Sequence, residues 1–305
     1  MFKLKAKQKI FEIGGVKVGG QPGEVPTVLI GSIFYLGHTK IDIDEEKGTF
    51  DKEKAEALIK KQEELSDMTG NPGMLEVVGV RPDALRREID YIAEVTDMPF
   101  LISSERPPVL MAGAKHVGEI GLQDRVVYSS LLKGTSDEEL EIVKNSGIKA
   151  ALLLAKNPME ETADGKLKVV KDVLKLAGKA KIEKPLIDVA TLAFGIKMGP
   201  AARALYLIKN EYGYPVGIGT GNVTTTFNWA INRLTRPILR TTYGTCNAIA
   251  QVMGANWLLY GPIQHAPYVF PSVAMTDSYI LTAMAELGIR PAVEKQHPLF
   301  NVLRG

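Results

Sequence analysis

The sequence predicts a closed (β/α)8 TIM barrel with an N-terminal β-hairpin, a single α/β domain over residues 1–305 with the hairpin and its loop in 1–26. Three observations predict it. After the hairpin, eight short apolar stretches alternate with amphipathic helical patterns. Those stretches are continuous apolar runs rather than alternations, as parallel strands buried on both faces require. A length of 305 residues suits one such barrel, and no linker-like or low-complexity segment divides it. A doubly wound open sheet is the second architecture the same pattern allows.

The hairpin is read from residues 8–13 and 16–18, which flank Gly14-Gly15; a two-glycine turn between alternating strands is a hairpin signal. Residues 27–34 form the first strongly apolar strand, and Asp51 caps the helix that follows. Strands over 74–79, 100–103, 125–128 and 149–154 are followed by helices over 82–95, 109–120, 136–145 and 167–179. Ser136 and Glu139 have the spacing of a capping box. The strand at 185–188 precedes a helix over 200–212. The strand at 214–218 leads into helical stretches over 223–234 and 243–253. The last strand, 256–260, precedes a helix over 272–287 that Gly288 stops.

Composition narrows the function. The chain is 45% hydrophobic and 24% charged, ordinary for a globular protein with a large core. A formal net charge of +2 offers no basic field, so no nucleic-acid partner is expected. Cys246 is the only cysteine, which excludes an intramolecular disulfide and a thiolate metal cluster. His38, His116, His265 and His297 are scattered, so no metal site is expected. There is no secretory signal and no membrane-spanning apolar run, and a cytoplasmic location is expected.

In a parallel barrel the carboxyl ends of the strands meet around one pocket. Here they carry residues 32–35, 76–79, Ser103-Ser104, Ser129-Ser130, Lys156-Asn157, Asp188, 220–222 and 260–262. The most distinctive stretch is Val216-Gly-Ile-Gly-Thr-Gly-Asn222, an apolar strand ending in glycines at alternate positions and then an amide. Such glycines let a ligand approach the main chain, or serve only a tight turn that Asn222 caps. Asp188 places a carboxylate directly after an apolar strand. It can accept paired N–H bonds from a heterocycle edge, or cap nearby amides. Lys156 is open to two readings, a Schiff-base lysine or a solvated rim lysine. The glycine turn lacks a nearby cation, which weakens a phosphate-site reading.

Several motifs converge in order along the chain. They are Gly19-Gly-Gln-Pro-Gly-Glu24, Ile33-Phe34-Tyr35, Phe50-Asp51-Lys52 with Lys61-Gln62, Asn157-Pro158-Met159 and Pro185-Leu-Ile-Asp-Val-Ala190. Gly221-Asn222-Val223, Leu259-Tyr-Gly-Pro-Ile263 and Phe270-Pro-Ser-Val-Ala-Met-Thr-Asp277 complete the set. Jointly they resemble the MtrH family, the pterin-binding subunit of tetrahydromethanopterin S-methyltransferase. The resemblance implies a pterin-binding barrel that moves a methyl group between N5 of methyl-tetrahydromethanopterin, or methyl-tetrahydrofolate, and the cobalt(I) of a corrinoid. That cobalamin-type cofactor is carried by a partner, a corrinoid protein or a corrinoid-bearing methyltransferase subunit. It also implies a homodimer, with peripheral docking on a membrane complex left open.

The resemblance assigns Asn222 as the catalytic amide near N5 and Asp188 as the pterin anchor, with Ser103, Ser129, Gly219, Gly221 and Asn157 as further substrate-binding residues. Two positions depart from its pattern. Ser103 stands where an aspartate is expected and Ser129 where an asparagine is expected, with Glu105 available as a substitute carboxylate. These departures keep other readings open: a corrinoid-dependent demethylase of quaternary or other methylated amines, a non-catalytic barrel subunit, a dihydropteroate synthase-like enzyme, and, more remotely, a Schiff-base aldolase.

Overall fold

The computed structural model describes residues 2–44, 47–233, 236–293 and 296–303. The hairpin pairs β1 (Ile10–Ile13) with β2 (Val16–Gly19) and turns on Gly14 and Gly15, both at positive φ. Eight strands follow: β3 (Val28–Ile33), β4 (Gly73–Val78), β5 (Phe100–Ser103), β6 (Val126–Leu132), β7 (Ala150–Leu154), β8 (Lys184–Asp188), β9 (Val216–Ile218) and β10 (Trp257–Pro262). They close into a barrel in the order β10-β3-β4-β5-β6-β7-β8-β9, each pair parallel. The open-sheet alternative is thereby set aside.

Helices α1 (Lys52–Thr69), α2 (Pro82–Val95), α3 (Pro107–Glu119), α4 (Asp137–Ser146), α5 (Ala163–Lys179) and α6 (Met198–Tyr212) connect successive strands. Helices α7 (Thr220–Thr225), α8 (Asn228–Arg233) and α9 (Arg236–Val252) join β9 to β10. Helix α10 (Ala266–Ala285) and the short α11 (Pro298–Val302) close the chain.

Side-chain alternation along the strands produces two cores. One parity, including Leu75, Val77, Ile102, Tyr128, Leu153, Ile187 and Leu258, packs outward against the helices. The other parity, Val28, Ile30, Met74, Leu101, Val127, Leu152, Leu186 and Trp257, fills the barrel interior together with Ile13 and Val18 of the hairpin. The hairpin therefore seals the amino-terminal end of the barrel, and only the carboxyl end is left for a ligand. Near that sealed end, buried Asp277 of α10 accepts from the Thr27 N–H (2.8 Å), Thr27 Oγ1 (2.7 Å), Asn71 Nδ2 (2.7 Å) and Gln251 Nε2 (2.8 Å). One carboxylate thus ties β3, the α1–β4 loop, α9 and α10 together.

Several boundaries differ from the sequence reading. Helix α3 starts at Pro107, because both prolines occupy the first turn, where no N–H is needed. Helix α10 starts before Pro271, which lies inside it. The stretch expected as one helix over 223–234 is broken at Thr226 and Phe227, and Leu234 lies outside the described residues. Threonines explain the break: Thr224, Thr225 and Thr226 all turn their hydroxyls back onto carbonyls of residues 220–222, a local competition that bends short helices. The segment after β3 lies against α2, where Arg87 donates to the Lys47 carbonyl and Gly48 abuts Ala84.

Candidate active site at the carboxyl ends of the barrel strands

A cavity of about 600 Å³ opens at the carboxyl ends of the strands. Its floor and wall continue the interior parity one step further along each strand. Above Val28 and Ile30 comes Ser32; above Met74, Glu76; above Leu101, Ser103; above Val127, Ser129; above Leu186, Asp188. The interior is thus apolar at the sealed end and polar at the open end. Of the residues assigned from sequence, Ser103, Ser129, Asp188, Gly219, Gly221 and Asn222 all line this one cavity. Ser103 and Ser129 are register partners on β5 and β6, and the Ser129–Ser130 peptide is cis.

Asn157 is absent from the lining. Its Oδ1 accepts from the Met159 N–H (3.2 Å) and its Nδ2 donates to the Gly165 carbonyl (3.4 Å). It shapes the turn between β7 and α5, a use of asparagine that spacing alone does not separate from ligand binding. Lys156, by contrast, lines the cavity.

The glycine-rich stretch resolves into three separate packing demands. A β-carbon on Gly217 would lie 2.1 Å from the Trp257 ring. One on Gly219 would lie 3.2 Å from Asn222 Nδ2. One on Gly221 would lie 2.6 Å from the backbone of Gly261. The close approach of Gly221 to Gly261 seats α7 on β10 and aims Asn222 at the cavity. Asn222 Nδ2 donates to the Thr191 carbonyl at 2.8 Å; the amide group has a second hydrogen for a ligand.

Asp188 Oδ1 accepts the Ala190 N–H at 2.8 Å, and buried Lys166 donates to the Ala190 carbonyl at 3.0 Å. These two bonds hold Ala190 in the left-handed region at φ +53°. Burial pushes the Asp188 carboxyl up to about 6, offset by the Ala190 N–H and the Lys166 ammonium, and reinforced by repulsion from Glu76. Burial in turn pulls the Lys166 ammonium down.

Glu76 is the cavity residue that the sequence presents only as one member of a strand end. Ser32 Oγ donates to Glu76 Oε2 at 2.5 Å, and Ser103 also hydrogen-bonds it. Burial raises its carboxyl above the usual range, against the pull of both serines. The available signal is parity: Glu76 lies two residues beyond Met74 on the inward face. Glu105 is exposed at the mouth, so the carboxyl beside Ser103 is that of Glu76.

At the rim, Tyr35 Oη accepts from Gln264 Nε2 at 2.8 Å and stacks on His38 with ring centroids 4.3 Å apart. Burial lowers His38, His265 and His297 to about 4, while His116 Nε2 pairs with Asp90 at 2.6 Å. Among the described residues no group of three or more His, Cys, Asp or Glu side chains could hold a metal ion.

Fold and site together define a parallel β/α barrel of the ligand-binding type, with two carboxyls and an amide converging on one polar, open-ended cavity. Residues 6–292 match the family described as tetrahydromethanopterin S-methyltransferase MtrH subunit, and the chain belongs to that family. Among curated relatives, the corresponding tetrahydromethanopterin S-methyltransferase subunit of Methanothermobacter thermautotrophicus is 40% identical over 99% of this chain and 100% of its own length. The Methanopyrus kandleri counterpart is 40% identical over 100% of both chains, and that of Methanocaldococcus jannaschii 41% over 95% of this chain and 97% of its own. Among solved structures, the dihydropteroate synthase of Xanthomonas albilineans with 4-aminobenzoic acid covers 94% of this chain and 100% of its own at a TM-score of 0.60 and 16% identity. A Yersinia pestis dihydropteroate synthase aligns at a TM-score of 0.61 and 11% identity, over 89% of this chain and 98% of its own. At those identities the likeness concerns the barrel fold.

Proposed function

We propose that this chain is a methyltransferase that moves a methyl group between N5 of methyl-tetrahydromethanopterin and the cobalt(I) of a corrinoid carried by a partner protein. The observation that carries the reading is that Asp188 and Asn222, assigned from different motifs, line one cavity in a member of this family. Asp188 suits the donor edge of a pterin: a carboxylate with one N–H partner keeps capacity for two parallel N–H bonds. Asn222 stands by the leaving nitrogen, and its amide hydrogen bond strengthens as charge develops there, which is differential stabilisation of the transition state. Cobalt(I) supplies the nucleophile, so no side chain is needed as a base. The remaining task of Ser103, Ser129, Gly219 and Gly221 is to seat and orient the ring. Tetrahydrofolate is the other methyl carrier this chemistry accommodates.

A demethylase of quaternary amines is less well supported. Such ligands favour aromatic cages, and among the described residues Tyr35 is the one aromatic side chain in the cavity lining. A non-catalytic role leaves the convergence of Asp188 and Asn222 unexplained.

The corrinoid-bearing partner would approach the open mouth. An exposed stack beside Asn222, Phe194 on Phe227 (4.0 Å) and Phe227 on Trp229 (5.8 Å), supports docking there. Exposed Ile249 and Val252 on α9 support pairing of two copies into a homodimer, which light scattering would test. Among the described residues no helix is long and apolar enough to cross a membrane. We place the chain in the cytoplasm; that the relatives are named as one subunit of a methyltransferase supports action within a larger assembly, with any membrane contact made peripherally through other subunits.

The test is spectrophotometric. Purified chain is offered methyl-tetrahydromethanopterin, methyl-tetrahydrofolate or methylated amines with free cob(I)alamin. Chain-dependent methylcobalamin from a pterin is expected. Formation only from an amine would overturn the pterin assignment, and binding of no donor would overturn the catalytic reading.

A further inference from the structure

Two carboxyls occupy this cavity, and the reading above uses one. In the closed order of eight strands, β4 and β8 are four places apart, so Glu76 and Asp188 stand on opposite walls. They are close enough for each charge to disfavour the other. An eight-stranded barrel is just wide enough at this level for one small ligand. A ring lying across the mouth would have one edge toward each carboxyl.

Glu76 is held from both sides. Ser32 on β3 donates to it at 2.5 Å, and Ser103 on β5 hydrogen-bonds it from the other flank. The groups acting on its carboxyl are these two hydroxyls and burial; among the described residues no cation joins them. A carboxyl placed only to cross-link strands would be better replaced by a neutral group, since an ionisable group without a cation is costly to bury. The short side chains of Ser103 and Ser129 leave the adjoining wall recessed, and Glu76 is the acceptor that reaches into that space.

We propose that Glu76 is a substrate-contacting residue that accepts a ring N–H from the donor on the edge opposite Asp188. The inference rests on the pterin reading and deepens it. A reduced pterin offers N–H donors on two separated edges, the amino-pyrimidine edge and the saturated-ring edge. Asp188 takes the first and Glu76 the second. Two carboxyls on opposite edges fix the ring in its plane, and with it the position of N5 relative to Asn222. Both carboxyls are raised by burial, so seating of the ring favours their ionised forms and binding releases protons.

The experiment is isothermal titration of tetrahydromethanopterin into wild type, Glu76→Gln, Glu76→Ala and Asp188→Asn at pH 7, repeated in buffers of different ionisation enthalpy. Glu76→Gln is expected to weaken binding about tenfold or more and to lower the proton release, with the circular dichroism spectrum unchanged. The double variant Glu76→Ala with Ser103→Asp moves the carboxylate one strand along and is expected to regain part of the affinity. Wild-type affinity in Glu76→Gln, with affinity lost in Asp188→Asn, would overturn this inference and leave the pterin reading standing. Failure of wild type to bind any reduced pterin would overturn both. The near-isosteric Glu76→Gln carries the test if Glu76→Ala does not fold.

Discussion

The Gly221 and Gly261 main chains are in direct contact: a β-carbon on Gly221 would lie 2.6 Å from both Cα and N of Gly261. No side chain fits between them. The contact presses the first turn of α7 against β10 and sets the direction in which Asn222, the next residue, faces the cavity.

Gly221→Ala is therefore expected to displace α7. Overpacking at such a contact costs roughly 1–3 kcal/mol. Turnover should fall by more than about tenfold even where the protein remains folded, because a shift of about an ångström misplaces the amide. Thermal melting and methyl transfer measured on the same preparation check both parts.

Asn222→Ala removes the amide while leaving the glycine contact intact. Its side chain is exposed to the cavity, so the melting temperature should move little. Loss of a transition-state hydrogen bond typically lowers turnover by about 10²–10³-fold. Affinity for the pterin should change much less. Unchanged turnover would remove Asn222 from the mechanism.

The raised carboxyl of Asp188 makes stability depend on pH. Its folded value is about 6, above the ordinary 3.8 of an aspartate. Between those values the folded protein binds more protons than the unfolded chain, so this group's contribution is full below about 4 and is lost as pH rises through about 6. Asp188→Asn removes the penalty. It should melt higher than wild type at pH 7, by about 1–2 kcal/mol after allowing for screening at the cavity, and the gap should close toward pH 4. Activity should fall in the same variant, since a neutral amide cannot accept two parallel N–H bonds. A constant gap across pH would contradict the assignment.

Asp277 serves the fold alone. Removing its carboxylate in Asp277→Ala strands the Thr27 N–H, Asn71 Nδ2 and Gln251 Nε2 in a buried site. Each orphaned donor costs about 1–3 kcal/mol, so a total loss of about 3 kcal/mol or more is expected in chemical denaturation. An effect under about 1 kcal/mol would show that the donors find other partners.

Most of the barrel was legible because its strands are uninterrupted apolar runs and its helices carry clear caps, such as Asp51 and Ser136. Helix starts at prolines were less legible, since Pro107 and Pro271 mark a first turn in one case and an interior position in the other. At the site, Asp188 stood out as a charge ending an apolar strand. Glu76 did not, because it is followed by two more apolar residues; only the closed barrel, in which Ser32 and Ser103 flank it, shows which way it faces. Asn157 illustrates the opposite error. A strand-end asparagine looks like a ligand contact, yet its amide is occupied by Met159 and Gly165.

The most direct test of the central claim is the single-turnover rate of methyl transfer to cob(I)alamin from methyl-tetrahydromethanopterin already bound, in wild type and Asn222→Ala. The cavity account predicts rapid methylcobalamin formation in wild type and a rate lower by about 10² or more in the variant, at matched occupancy. Equal rates in the two proteins would contradict it.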